Sequence, residues 1–313
     1  MTIQYLKLEN INYKILVLII KEFVSSRIKG LCLAFLAMIG SGIFAIPYGL
    51  SLETTKPLTV VWGIFFWALL FSLPGAWISR KKMNYSLKIG FITLVTALAG
   101  LLANYSVCQA LVLDSPTLFN LLSRSEIIMA VILSWIFLKE WISTRVWITL
   151  IFIIVGIIIM KLESLNLEFA EFHATMWALL TAFGFAVMLV LAKSIIHEID
   201  PQTFNVFRLI LALTFLSFFE EVRDGITNLK FNEWKLLAIA AFCGPFLGRL
   251  SYTYSLKYLS VSKSVIICSF SPAITLMLEL LVFGSIISWL EALGGLIMLG
   301  SIIWVFLPHT KKI

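Results

Sequence analysis

Charge is the scarcest commodity in this 313-residue sequence: Lys, Arg, Asp and Glu make up 13% of it, against about 25% in soluble proteins. Histidine is nearly as rare. His173 stands at the edge of an apolar run, His197 in a polar joint and His309 near the end. With no HExxH, GxSxG, P-loop or DxD-like cluster, nothing in the chain assembles a catalytic site, and neither enzymatic activity nor a cofactor is expected. Cys32, Cys108, Cys243 and Cys268 all lie inside apolar runs and form no CxxC pair. They read as small packing hydrophobes, not as disulfides or metal ligands. Long polar stretches are missing as well, which excludes a tethered soluble module. No filter-like segment or ring of like charges occurs, which favours a carrier over a channel.

What the chain has instead is apolar length. Sixty per cent of it is hydrophobic, and the mean hydropathy is +1.00. Apolar runs near the length needed to cross a bilayer recur between short polar joints. Ten spans are predicted, at 30–50, 58–78, 88–112, 117–138, 145–161, 173–193, 204–219, 234–256, 263–283 and 287–307. Ahead of them, residues 1–29 read as a cytoplasmic arm, either lying on the membrane surface or disordered. Its apolar core, Ile15 to Ile20, is too short to span and no small-residue cleavage site follows it. Residues 162–172 form an outside linker and 308–313 a cytoplasmic tail. With the N-terminus inside, sixteen Lys and Arg fall on the cytoplasmic side and five outside; Arg124, Arg208 and Arg249 are left within spans. That asymmetry places both termini in the cytoplasm of a multi-pass inner-membrane protein. The net charge of +7 then reflects this excess, and no nucleic-acid partner is implied.

The two halves match at a nearly constant offset. Gly40 falls on Gly184 and Pro57 on Pro201, both at 144. Ala110-Leu111 falls on Ser255-Leu256, and Leu138-Lys139-Glu140 on Phe283-Gly284-Ser285, both at 145. Each half holds five spans, an odd number, so the second must enter the membrane from the opposite side. The expected fold class is an all-α integral membrane protein, ten transmembrane helices as two inverted five-helix repeats, 30–161 and 173–307. In carriers so built the substrate site lies near the midplane, where the repeats meet.

These residues resemble the drug/metabolite transporter superfamily, in particular its EamA-type members with ten spans. The resemblance is carried by Ala110-Leu111, Ser115-Pro116, Leu138-Lys139-Glu140-Trp141 and Gly156, and in the second half by Arg208, Tyr254-Ser255-Leu256, Ser271-Pro272 and Gly294-Gly295. Two departures stand out. Ser125-Glu126 occupies a place where the family usually has Pro, and Gly284-Ser285 a place where it has Gly-Glu. The first puts a family-typical break in span 4 in question. The resemblance implies a pocket between spans 1–4 and 6–9, with spans 5 and 10 peripheral and at a homodimer contact.

Arg124 and Glu126 lie deep in span 4, where lipid tolerates charge poorly. Two residues apart on a helix, they point about 200° away from each other and cannot pair. On one reading Arg124, with Asn120 one turn earlier, faces the cavity and binds an anionic group, while Glu126 holds a neighbouring helix or balances Arg249. On the other, Arg124 and Arg249 are each neutralised by Glu126 or Glu279 and bind nothing. Arg249 follows the loosened stretch Gly244-Pro245 and Gly248, with Tyr252 one turn on. Ser271, Thr275 and Glu279 form a polar stripe on span 9, with Pro272 as a kink. Glu279 and Glu126 are the candidate proton carriers. Asn104 and Tyr105 in span 3 offer hydrogen bonds, as substrate contacts or as interhelical glue. Arg208 reads as structural, snorkelling to the interface. Trp67 and Trp135 are deep enough to line a pocket. Small residues Ala34, Ala37, Ser41 and Ala45 predict close packing of span 1.

The expected function is a secondary transporter for a small anionic or zwitterionic metabolite, such as an amino acid or a nucleotide-derived cofactor, working by alternating access in the lipid bilayer. A lipid-linked substrate flippase, or a scaffold of the same fold, is the alternative.

Overall fold

Short polar joints punctuate the chain into helices at places that local chemistry explains. The computed structural model describes residues 25–79, 86–113, 116–162, 169–284 and 288–306. Ten helical spans follow the ten apolar runs. α1 covers Ser25–Leu52 with a turn at Phe44, α2 Pro57–Ser79 and α3 Leu87–Leu113. α4 is made of Pro116–Leu122, a 3-10 turn at Ser123–Ser125, and Glu126–Leu138. α5 is Thr144–Lys161, α6 Phe169–Ser194 and α7 Pro201–Leu216. α8 joins Phe231–Ala241 through a π segment, Phe242–Gly248, to Arg249–Ser255. α9 is Val261–Cys268 followed by Ser271–Phe283, and α10 is Trp289–Phe306. A short helix, Glu220–Asn228, lies between α7 and α8 and bends 100° away from α7. Six of the spans are single helices long and apolar enough to cross a membrane by themselves. Most of the expected arm, residues 1–24, lies outside the described residues, as do parts of the 162–172 linker and the whole tail. Residues 25–29 are already helical and continuous with α1.

The duplication is visible in the backbone. α2 and α7 both begin on a proline, Pro57 and Pro201, where the missing N–H costs nothing. α4 and α9 both end on a left-handed residue, Lys139 at φ 52° and Gly284 at φ 64°. Those two positions are repeat equivalents. Gly184 lets α6 close onto Ala99 and Ala103 of α3, and Gly40 lets α1 close in the same way onto Cys243 and Gly248 of α8.

Packing shows how the halves are related. Three helices each pair with their own repeat equivalent: α2 with α7, α4 with α9 and α5 with α10. All three pairs run antiparallel. Trp62 meets Ser217 while Ser72 meets Asn205. Asn120 meets Thr275 while Glu140 meets Val261. Arg145 lies over Trp304 while Thr149 meets Ser301. α3 packs on α6 and α7, and α8 repeats this on α1 and α2. An inverted repeat requires this antiparallel self-pairing. α5 and α10 pack mainly on each other at the edge of the bundle, leaving the interface between the halves to the remaining eight.

Candidate functional site

α4 and α9 both break half-way along, and the breaks face each other. In α4 no proline is needed. Ser123 and Ser125 turn their hydroxyls back onto the carbonyls of Asn120 and Leu122, 2.9 Å in each case. Such bonds compete with the helical ladder and tighten it into a 3-10 turn. The family-typical break is therefore present although Ser-Glu replaces the usual Pro. α9 breaks at Ser269-Phe270, with Pro272 in the first turn of its second segment.

Arg124 fills the gap between these breaks. Its Nε donates to the Asn120 carbonyl (3.1 Å), Nη1 to the Cys268 carbonyl (3.1 Å), and Nη2 to Asn120 Oδ1 (3.0 Å) and Ser123 Oγ (3.3 Å). The Asn120 amide donates in turn to Thr275, Thr275 to the Gly42 carbonyl, and Ser271 to Asn120 Oδ1. Here Arg124 serves as a clamp that supplies donors to carbonyls freed by two broken helices, joining α1, α4 and α9. It is 8% exposed and is not part of the cavity wall described next.

A cavity of about 30 Å³ sits between the halves, walled by Ser41 and Phe44 (α1), Phe65 (α2), Asn104 (α3), Phe185 and Met188 (α6), Arg208 (α7), and Gly244, Pro245 and Arg249 (α8). A smaller one of about 10 Å³ adjoins it through Met188, Arg208 and Arg249, and reaches Thr96, Asn205 and Thr253. Together they hold a few waters and no metabolite. The π segment of α8 shapes one wall, because Pro245 lacks the N–H that a regular turn would use.

Two guanidinium groups border this space. Arg249 Nη1 lies 3.3 Å from Glu126 Oε1, and its guanidinium sits over the Phe185 ring at 3.9 Å and the Tyr252 ring at 5.8 Å. Arg208 is 3% exposed and donates to Asn205 Oδ1 at 2.6 Å, while Asn205 donates to Ser72. Its partner is thus a neutral amide. The snorkelling expected of Arg208 does not occur: α7 begins at Pro201, and the side chain turns inward two turns later.

The other sequence-predicted residues distribute as follows. Asn104 lines the cavity and donates to the Gly100 carbonyl at 2.8 Å. Tyr105 points elsewhere, edge-on to Trp177. Tyr252 is buried beside Arg249, and its hydroxyl has no partner among the described residues. Ser271 belongs to the Arg124 seam. Glu279 is buried on α9, away from the cavity lining. Trp135 faces outward at 58% exposure, and Trp67 joins a row of rings instead. The α1 small face packs as expected, with Ala34, Ala37 and Ala45 fully buried and Ser41 on the cavity. Phe44, Phe65, Phe185 and Met188 carry no signal in sequence, since they look like any other apolar residue. The Asn205–Arg208 pair, one turn apart, was the available signal for Arg208.

Aromatic and polar contacts tie the helices together on either side of the cavity. Toward the far face, Trp62, Phe66, Trp67 and Phe71 of α2 stack among themselves and against Trp234, Phe242 and Phe246 of α8. On the face that carries the ends of the helical bundle, Lys193 donates to the Leu256 and Leu259 carbonyls at 2.5 and 3.0 Å. Glu140 accepts the Val261 N–H at 3.1 Å. Asp200 caps α7 through Gln202 N–H and accepts from Tyr254 and Lys257.

The sequence matches the EamA-like transporter family twice, over residues 28–162 and 173–307. The chain belongs to the EamA-like transporter family. Each match covers one five-helix repeat, so this EamA-like protein is a multi-pass membrane transporter built from two inverted copies of the family unit. Over 63 residues it is 40% identical to the probable transport protein YPL264C of Saccharomyces cerevisiae. That stretch is 20% of this chain and 18% of the yeast protein, far short of its whole length. A crystal structure with 14% sequence identity superposes with a TM-score of 0.67, over 90% of this chain and 96% of the other. At that identity the likeness establishes the fold alone.

Proposed function

We propose that this EamA-like transporter is a secondary carrier for a small anionic or zwitterionic metabolite, an amino acid or a nucleotide-derived cofactor, and that it works by alternating access. The supporting observation is the pair Arg208 and Arg249 at the interface between the repeats, with Glu126 as the one carboxylate paired to either among the described residues. A cavity with one uncompensated guanidinium in an apolar surround favours an anion. Opening toward one side separates the aromatic row of α2 and α8, and opening toward the other releases the Lys193, Glu140 and Asp200 contacts. We assign the latter face, rich in Lys and Arg, to the cytoplasm of the cell membrane, with both termini there. The α5–α10 pair at the bundle edge is the face expected in a homodimer.

The test is uptake into proteoliposomes of radiolabelled L-glutamate, L-tryptophan, pyruvate, shikimate and AMP. At least one is expected to accumulate, and Arg208→Gln or Arg249→Gln to cut its uptake tenfold or more. If none of the five is taken up, or both variants transport as well as the parent, the reading fails.

A further inference from the structure

Arg249 stands between two competitors. One edge of its guanidinium reaches Glu126 through a single contact of 3.3 Å, and that is its one hydrogen bond among the described residues. The other faces the central cavity. Its side chain is 19% exposed and that of Glu126 is 7% exposed, so an anion in the cavity reaches Arg249 but not Glu126. Phe185 at 3.9 Å holds the guanidinium plane where it can turn from one to the other.

We propose that substrate and Glu126 exchange places on Arg249, so that each anion bound is accompanied by one proton taken up by Glu126. This rests on the carrier reading above and adds its coupling ion. The balance is simple. The N–H···carboxylate contact from Arg249 to Glu126 opens, and the same N–H bonds the incoming anion. Glu126, left in an apolar interior, takes a proton from water on the open side and becomes a neutral acid. A monoanion and a proton then cross together, and the charge of the site is the same empty or loaded.

The surroundings of Glu126 fit such a step. From its own helix Arg124 faces it, but that guanidinium is committed to the carbonyls of Asn120 and Cys268. From α8 come Arg249 and Tyr252, and from α9 Cys268. The α6 residues packed on this part of α4, Ala186 and Leu189, are apolar. Tyr252, whose buried hydroxyl is unpartnered here, is placed to hydrogen-bond the protonated acid once Arg249 has turned away. A buried hydroxyl without a partner is a cost that another state of the cycle can remove. Neither Glu126 nor Glu279 lines the cavity, but Glu126 is the one that contacts the cavity-lining Arg249 among the described residues.

The experiment uses whichever of the five labelled probes the parent protein takes up, in proteoliposomes carrying a pH-sensitive dye. An inward gradient of a monocarboxylate probe is expected to acidify the lumen, one proton per molecule. Probe affinity is expected to weaken about tenfold per pH unit above the titration of the coupled site, as one linked proton demands. Glu126→Gln is expected to lose both the proton signal and the pH dependence of probe binding. Glu126→Asp, which retains a carboxyl, is expected to restore the proton signal in part. Uptake by the parent without proton movement overturns the exchange while leaving the carrier reading intact. So does a proton signal that survives in Glu126→Gln but disappears in Glu279→Gln. Probe binding by Glu126→Gln that keeps the parent's pH dependence, with the variant folded by thermal unfolding, also overturns it. If no probe is taken up by the parent, the carrier reading and this inference fall together.

Discussion

Arg124 shows how the same residue type can serve two ends in one site. Its four hydrogen bonds join groups at two helix breaks, and an aliphatic replacement would strand the Cys268 carbonyl in an apolar interior, while the Asn120 carbonyl keeps the Ser123 hydroxyl. Arg124→Ala is therefore expected to cost about 1–3 kcal/mol, the cost of one stranded buried group. Thermal unfolding in detergent reads this as a drop in Tm, and Arg124→Lys is expected to rescue little of it because an ammonium lacks the planar fork. A binding defect with unchanged Tm would contradict the clamp role. Lys139 makes an opposite case. It holds a left-handed conformation that its repeat equivalent fills with Gly284. Lys139→Gly is expected to stabilise the protein by about 0.5–1 kcal/mol, the usual cost of a side chain in that region, visible as a rise in Tm. The importance of Arg124 was legible, since a charge in an apolar run is a local signal, whereas the conformation of Lys139 shows only in the fold. Which Arg borders the cavity was not legible, because that depends on how far each helix is rotated against its neighbours.

At the scale of elements, close approach of backbones decides what moves together. A Cβ on Gly40 would lie 2.5 Å from the Cys243 carbonyl oxygen and 2.8 Å from Gly248 Cα, both backbone atoms that cannot yield. Gly40→Ala is expected to push α1 off α8 and destabilise by about 1–3 kcal/mol, as overpacking does, lowering both Tm and folded yield. The joint before α7 adds a pH signature. Burial works to raise the Asp200 carboxyl, yet the Gln202 N–H, Lys257 and the Tyr254 hydroxyl together hold it below the ordinary carboxylate value. Its contribution is thus fully present above the unfolded value, near pH 4, and is lost as pH falls through the depressed one. Asp200→Asn is expected to flatten the acid limb of a Tm-versus-pH curve, and an unchanged limb would mean that the cap contributes nothing there. Glu140 runs the other way, its carboxyl pushed up by burial against the pull of Lys193 and the Val261 N–H. As pH rises from the ordinary carboxylate value toward that raised one, ionising Glu140 lowers the stability of the folded protein. The break in α4 was the element the sequence left in question, and paired serines around Arg124 produce it without proline.

For the whole molecule, the topology makes a sided prediction. With the parent's exposed Cys32 replaced, a cysteine at Thr54, in the joint between α1 and α2, is expected to react with an impermeant maleimide in intact cells. One at His197, in the joint between α6 and α7, is expected to react only after permeabilisation. The reverse pattern would invert the proposed orientation without touching the fold. Class, span number, duplication and inverted topology were all set by the sequence alone, because apolar length, proline and left-handed stops, and an odd number of spans are properties of short stretches that no distant contact can alter. The cavity, the inward turn of Arg208, the clamp made by Arg124 and the choice of Glu126 among the partners expected for Arg249 were decided only when the two repeats packed. Apolar helices look alike in sequence, and the facing helix determines which side of each is buried against protein and which against lipid.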